Sequence, residues 1–188
     1  MSTLSNTIAK PRLSVKSQTI AAILAIIGAI AVPQLFHVMG TVSGLGTSLG
    51  ETFLPMHLPI ILVGFIAGPY AGAIAGLLGP LASHLTAGMP VSFMLPVMML
   101  ELCAYGAFAG LLKDVRLPNI AKILLVQIGG RAVRAAAVLI AVYTLGSENI
   151  KTASIWTSIA VGVPGLVLQW TFMPLLLYRI GGLKKNEQ

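Results

Sequence analysis

Six apolar stretches, at about residues 17–36, 54–68, 70–87, 91–112, 120–145 and 153–180, take up most of this chain. A bilayer's hydrocarbon core needs roughly 20 apolar residues to be crossed by a helix, and fewer than that marks a short or tilted span. Within the core every backbone N–H and C=O must be paired inside the protein, which restricts runs of this length to helices. The pattern therefore predicts an all-α fold: a polytopic membrane protein with six transmembrane helices in one bundle. Composition agrees, since only 9% of the 188 residues are charged and the mean hydropathy is +0.92. Soluble domains carry roughly 25% charged residues.

Breaks between the runs are short. Gly68-Pro69 divides what would otherwise read as one long helix into a hairpin, and Gly88-Met89-Pro90 separates the third run from the fourth; Gly/Pro pairs are turn and breaker signals. Lys10, Arg12 and Lys16 precede the first run, but that run is full-length and no small-residue cleavage site stands out, so a removable leader is not expected.

Orientation follows from the distribution of basic residues. With the N-terminus cytoplasmic, one side receives Lys10, Arg12, Lys16, Lys113, Arg116, Lys122, Arg179, Lys184 and Lys185; the other receives Lys151 with Glu51 and Glu148. Both termini are thus expected in the cytoplasm. The expected organisation is a cytoplasmic tail at 1–16, a membrane domain at 17–180 and a second cytoplasmic tail at 181–188. The net charge of +7 reads as a topological signal, not as a nucleic-acid patch. On the outer side the longest segment, residues 37–53, is rich in Gly, Ser and Thr and is expected to be a flexible lid or binding loop.

Glu101, Arg131 and Arg134 are the only charged residues well inside these runs. An ionisable group at the centre of a membrane helix costs at least about 2.5–3.5 kcal/mol, so it faces a partner, a cavity or a ligand. Glu101 and Arg131 each lie about eleven residues from the cytoplasmic ends of their helices. At ~1.5 Å per residue this puts them at a common depth, where an ion pair is open to them. Either a structural pair or direct ligand contact satisfies that geometry. Arg134, nearly one turn further outward, has no acidic partner expected at its depth, which points to an outward cavity and a bidentate grip on an anion.

Weaker candidates stand beside these. His84 and Trp156 lie near outer helix ends, where an imidazole or an indole either settles at the interface or meets a ligand. Asn149 and Gln169 are further polar candidates. His37, His57 and His84 lack metal-specific spacing, and Cys103 is a lone, apolar-flanked cysteine, so no metal site is expected. Ala21, Ala25 and Ala29 form a small-residue ridge on the first helix, and Gly72, Gly76 and Gly79 form another on the third. Such ridges allow close helix packing, either within a bundle or against another membrane subunit. No Gly-rich phosphate loop, zinc motif or nucleophile–base pair is present, so no enzyme activity, no cofactor and no ATP hydrolysis by this chain are expected.

The order of motifs resembles a known family. Leu54-Pro55-Met56-His57-Leu58-Pro59 followed by Gly64-Phe65-Ile66-Ala67-Gly68-Pro69-Tyr70-Ala71-Gly72 is similar to the second-helix hairpin of the substrate-binding S components of energy-coupling factor (ECF) vitamin transporters. Leu85-Thr86-Ala87-Gly88-Met89-Pro90, Glu101-Leu102-Cys103-Ala104-Tyr105-Gly106 and Val163-Pro164-Gly165-Leu166 add to the likeness, which spans about residues 15–180. The resemblance implies a multi-pass protein of a prokaryotic cell membrane that captures a vitamin or related micronutrient outside. It implies delivery through a transmembrane coupling protein and two ATPase subunits, which alone use ATP. The family's Ala-x-x-x-Ala docking face would fall on Ala21, Ala25 and Ala29, and its covering loop on residues 37–53. Metal-transporting relatives use an amino-terminal Met-His; here Met56-His57 is internal, which argues against nickel or cobalt.

Together these features place an outward pocket between the fourth, fifth and sixth spans. Arg134, with Arg131, would receive an anionic group, favouring an acidic vitamin such as pantothenate over neutral pyridoxine. Glu101 would fix Arg131 or accept a hydrogen bond from the ligand. Two other functions remain open: a self-sufficient proton-coupled transporter using Glu101 and Arg131, and a membrane-embedded enzyme.

Overall fold

The structure, a computed structural model, describes residues 13–46 and 48–186, with side chains through Ile180. The helices, in chain order, are α1 (Val15–Val42), α2 (Ser48–Phe53), α3 (His57–Ala67), α4 (Pro69–Ala87), α5 (Leu95–Leu112), α6 (Asn119–Leu139) and α7 (Ala153–Asn186). No strand occurs among the described residues. Five helical stretches are long and apolar enough to cross a membrane: Val15–Val42, Ser48–Ala67, Leu95–Leu112, Asn119–Thr144 and Ala153–Ile180. The sixth, α4, has 19 residues and a length of roughly 28 Å; its glycines and His84 dilute its hydropathy. The chain is a six-helix membrane bundle, with α2 and α3 together forming the second span.

The expected hairpin lies between α3 and α4. Gly68 adopts φ +106° and ψ 179°, a region that a side chain disfavours, and Pro69 starts α4 without needing a backbone donor. At the other end of α4, Gly88 at φ +69° caps the helix through its N–H to the His84 carbonyl.

Two segments depart from the sequence reading. Residues 37–53 are not a flexible loop: α1 runs on to Val42, a tight turn follows, and α2 occupies Ser48–Phe53. Gly44 and Gly46 take left-handed backbones, at φ +74° and +58°, and the N–H groups of Leu45 and Gly46 close onto the Gly40 carbonyl at 2.8 and 3.0 Å. The glycines here make a turn compact rather than a segment loose. The chain's end also differs, since α7 continues to Asn186 through most of the expected tail. Lys10 and Arg12 lie outside the described residues, as do the side chains of Lys184 and Lys185. At the C-terminal end of α6 the helix widens into a π-helical stretch, Ile140–Thr144, before the connection to α7.

Glycine sets the packing around α5. Gly72 on α4 and Gly106 on α5 face each other backbone to backbone, Gly76 lies against the backbone of Leu102 and Cys103, and Gly110 lies against Pro69. Lipid offers no hydrophobic drive between helices, so such close approach supplies dispersion contact instead. The ridge of α4 is therefore internal.

The ridge of α1, expected as a docking face, packs inside this chain's own bundle. Ala25 and Ala29 are buried, the latter completely, with Ala22 beside them and Ala21 half-buried against the same core. Gly79 of α4 is the close neighbour of Ala29. Small residues admit whichever helix comes first, and here that helix belongs to the same chain. α1 instead presents Ile20, Ile23, Leu24 and Ile27 outward.

Candidate functional site

Glu101 sits at the centre of the bundle, 1% exposed, in the middle of α5. Arg131 and Arg134, three residues apart, lie on one face of α6 and reach the two carboxylate oxygens separately. Arg134 Nη1 donates to Oε2 at 2.7 Å, and Arg131 Nη1 donates to Oε1 at 3.2 Å. The same Arg131 nitrogen lies 3.3 Å from Ser158 Oγ of α7. His57, the first residue of α3, places Nε2 at 3.9 Å from Glu101 Oε1, and its ring meets Tyr105 edge-on at 5.0 Å.

Arg134 is thus not the unpaired residue its sequence position suggested. It makes the shorter bond to Glu101, and one carboxylate bridges two guanidiniums. Depth counted along single helices missed this because a long arginine side chain spans a full helical turn.

This cluster floors a cavity of about 340 Å³, near the small end of the roughly 300–1,000 Å³ typical of ligand sites. Its walls come from α1 (Pro33, His37), α2 and the turn after it (Glu51, Leu54, Met56), α4 (Ser83) and α7 (Ser154, Thr157, Ser158, Val161), with Met89 and Met98 closing the side. Leu54 holds φ +49°, the left-handed region that a branched side chain disfavours by about 1–2 kcal/mol. That conformation directs the chain from α2 into α3 and seats Leu54 over Gly162.

Several polar atoms around the cavity are buried with no hydrogen-bond partner: both ring nitrogens of His57, Ser83 Oγ, Ser154 Oγ, Arg131 Nε and Nη2, and Arg134 Nε. Each such group costs about 1–3 kcal/mol while it stays unpaired, and native proteins keep few of them. The residues that carry them gather around this one cavity and give it a polar lining. Among the described residues there is no cluster of His, Cys, Asp and Glu able to hold a metal ion.

The remaining sequence candidates do not join the site. His84 Nδ1 pairs with the Pro90 carbonyl at 2.7 Å and ties the α4–α5 link. Asn149 is exposed in the connection before α7, and Trp156 is 74% exposed. Gln169 is buried elsewhere: its Oε1 accepts from Gln127 Nε2 at 2.9 Å, while Gln127 Oε1 accepts from Trp170 Nε1. Conversely, His57, Ser83, Ser154 and Ser158 line the cavity without having been singled out as ligand contacts. Ser154, Thr157, Ser158 and Val161 share one face of α7 at helical spacing. Small hydroxyls repeating on one side of an apolar helix were the signal available.

Fold and site define a multi-pass membrane protein with an internal, polar-floored cavity. The chain belongs to the family of ECF transporter substrate-specific components, whose pattern matches residues 16–181. It is accordingly a transporter component of the cell membrane rather than an enzyme, with a small-molecule substrate and an ECF module as family-level partners. Comparison with curated proteins and with solved structures gave no match.

Proposed function

We propose that this chain captures a small, water-soluble, vitamin-like nutrient at the outer face of the membrane. A transmembrane coupling protein and two ATPase subunits would then drive its release into the cell, with ATP used by those subunits alone. The observation that carries the reading is the cavity floored by Glu101, Arg131 and Arg134 and ringed by unpartnered polar atoms. The cavity lies at the end of the bundle formed by the α1–α2 turn, the α4–α5 link and the start of α7. Lys113 and Arg116 lie at the opposite end, so the positive-inside rule directs the cavity outward and both termini to the cytoplasm.

Denaturing extraction of the detergent-purified protein, followed by mass spectrometry, should yield one small molecule in near-stoichiometric amount. Uptake of that molecule into cells should then vanish when the ATPase subunits are deleted. Undiminished uptake without them would refute the coupled reading in favour of self-sufficient transport.

A further inference from the structure

We propose that Glu101 sets the charge of the substrate, and that the pocket takes a small organic monoanion whose carboxylate is received by Arg131. This deepens the substrate-capture reading and rests on it. The floor holds two guanidiniums and one carboxylate, so the cluster carries a formal charge of +1 when His57 is neutral. Glu51 also lines the cavity, but it is exposed to solvent at the rim, where screening weakens its influence. A single excess positive charge in a desolvated site is matched by a single negative one. A phosphate monoester, at about −1.5 to −2, would overshoot.

The two arginines are not equivalent. Arg134 is committed to Glu101 through the 2.7 Å bond, whereas Arg131 shares one nitrogen between Glu101 at 3.2 Å and Ser158 at 3.3 Å. Arg131 keeps both Nε and Nη2 without partners, and these two nitrogens form one edge of the planar fork that accepts a carboxylate in bidentate fashion. Gly162 packs against that edge, where a Cβ would lie 3.3 Å from Arg131 Nη2. At the other side of the cavity His57 and Ser83 supply uncharged hydrogen-bonding groups, while Leu54, Met89, Met98 and Val161 give apolar wall. The ligand this suits has one carboxylate, an apolar body and a neutral hydroxyl or amide.

The test uses thermal stabilisation of the full chain in detergent by three matched sets of probes at millimolar concentration. These are monocarboxylates (hexanoate, 6-hydroxyhexanoate, benzoate), their primary amides, and the corresponding dicarboxylates (adipate, phthalate). Wild type should bind its best monocarboxylate about tenfold more tightly than the matched amide or dicarboxylate. Glu101→Gln, with a floor of +2, should shift the preference to the dicarboxylate, and Arg131→Gln, with a neutral floor, should favour the amide. The double variant Glu101→Gln/Arg134→Gln restores +1 and should regain the monocarboxylate preference, which separates charge from geometry. Should Glu101→Gln fail to fold, Arg131→Gln and the double variant carry the same comparison. Equal binding of acid and amide by wild type would overturn the proposal, as would an unchanged preference in Arg131→Gln or no stabilisation by any monocarboxylate. Binding in detergent is independent of the ATPases, so monocarboxylate binding combined with ATPase-independent uptake would sink the coupled-transport reading and leave this one standing.

Discussion

Gly106→Ala should be among the most damaging single-methyl additions in the protein. The new Cβ would overlap the carbonyl of Gly72 and lie 2.8 Å from its Cα. Ordinary carbon–carbon contact falls at about 3.5–4.0 Å, so α4 and α5 must part by roughly 1 Å at this point. The obstacle is backbone, which has no rotamer to escape into. The cost therefore belongs at the upper end of the roughly 1–3 kcal/mol range for overpacking. At about 2–4 °C per kcal/mol for a chain of this size, the melting temperature in detergent should fall by roughly 6–12 °C. Gly28→Ala is the internal control, because its Cβ would meet only the Pro59 side chain, at 3.2 Å, and should cost less than about 1 kcal/mol. Gly72→Ala mirrors Gly106→Ala, since each glycine's Cβ would strike the other's backbone. Once one methyl has separated the helices the second meets less resistance, so the double variant should cost at least about 1 kcal/mol less than the two singles added. Ligand affinity should fall with stability, because α4 carries Ser83 and α5 carries Glu101 into the cavity. A Gly106→Ala protein melting within about 2 °C of wild type, or a Gly28→Ala protein melting lower, would refute backbone contact as the device that joins these helices.

Two further outcomes test the site and its surroundings separately. Gln127→Leu strands Gln169 and the Trp170 indole, and should cost about 1–3 kcal/mol in thermal stability, with ligand affinity nearly unchanged because none of the three lines the cavity. Gly162→Ala should do the reverse. Its Cβ would press on Leu54 Cδ1 at 3.0 Å and Arg131 Nη2 at 3.3 Å, so affinity measured by calorimetry should drop roughly fivefold, about 1 kcal/mol, while the melting temperature stays close to wild type.

Much of this architecture is legible in one dimension. Apolar runs of bilayer length force helices, because hydrocarbon offers no other partner for the backbone. Gly68-Pro69 and Gly88 mark helix ends, because left-handed glycine and donor-free proline have few other places in such a chain. The rarity of charge inside membranes singled out Glu101, Arg131 and Arg134, and the cavity is built on them. Pairing was half legible: a common depth pointed to Glu101 and Arg131, which do pair, whereas side-chain reach and helix rotation also let Arg134 take the shorter bond. The fate of the α1 alanines was not legible, since a small-residue ridge is equally suited to an internal and an external helix. Only the packing of α1 on α3 and α4 decides it. The sequence by itself determined the helices, the membrane and the residues that carry charge, because those follow from local chemistry and the solvent. The tertiary structure alone decided which charges meet, which polar atoms around the cavity stay unpartnered, and that His57 and Ser83 face the same cavity from different helices. Those are matters of how helices rotate and approach, and neighbouring residues in a sequence do not record them.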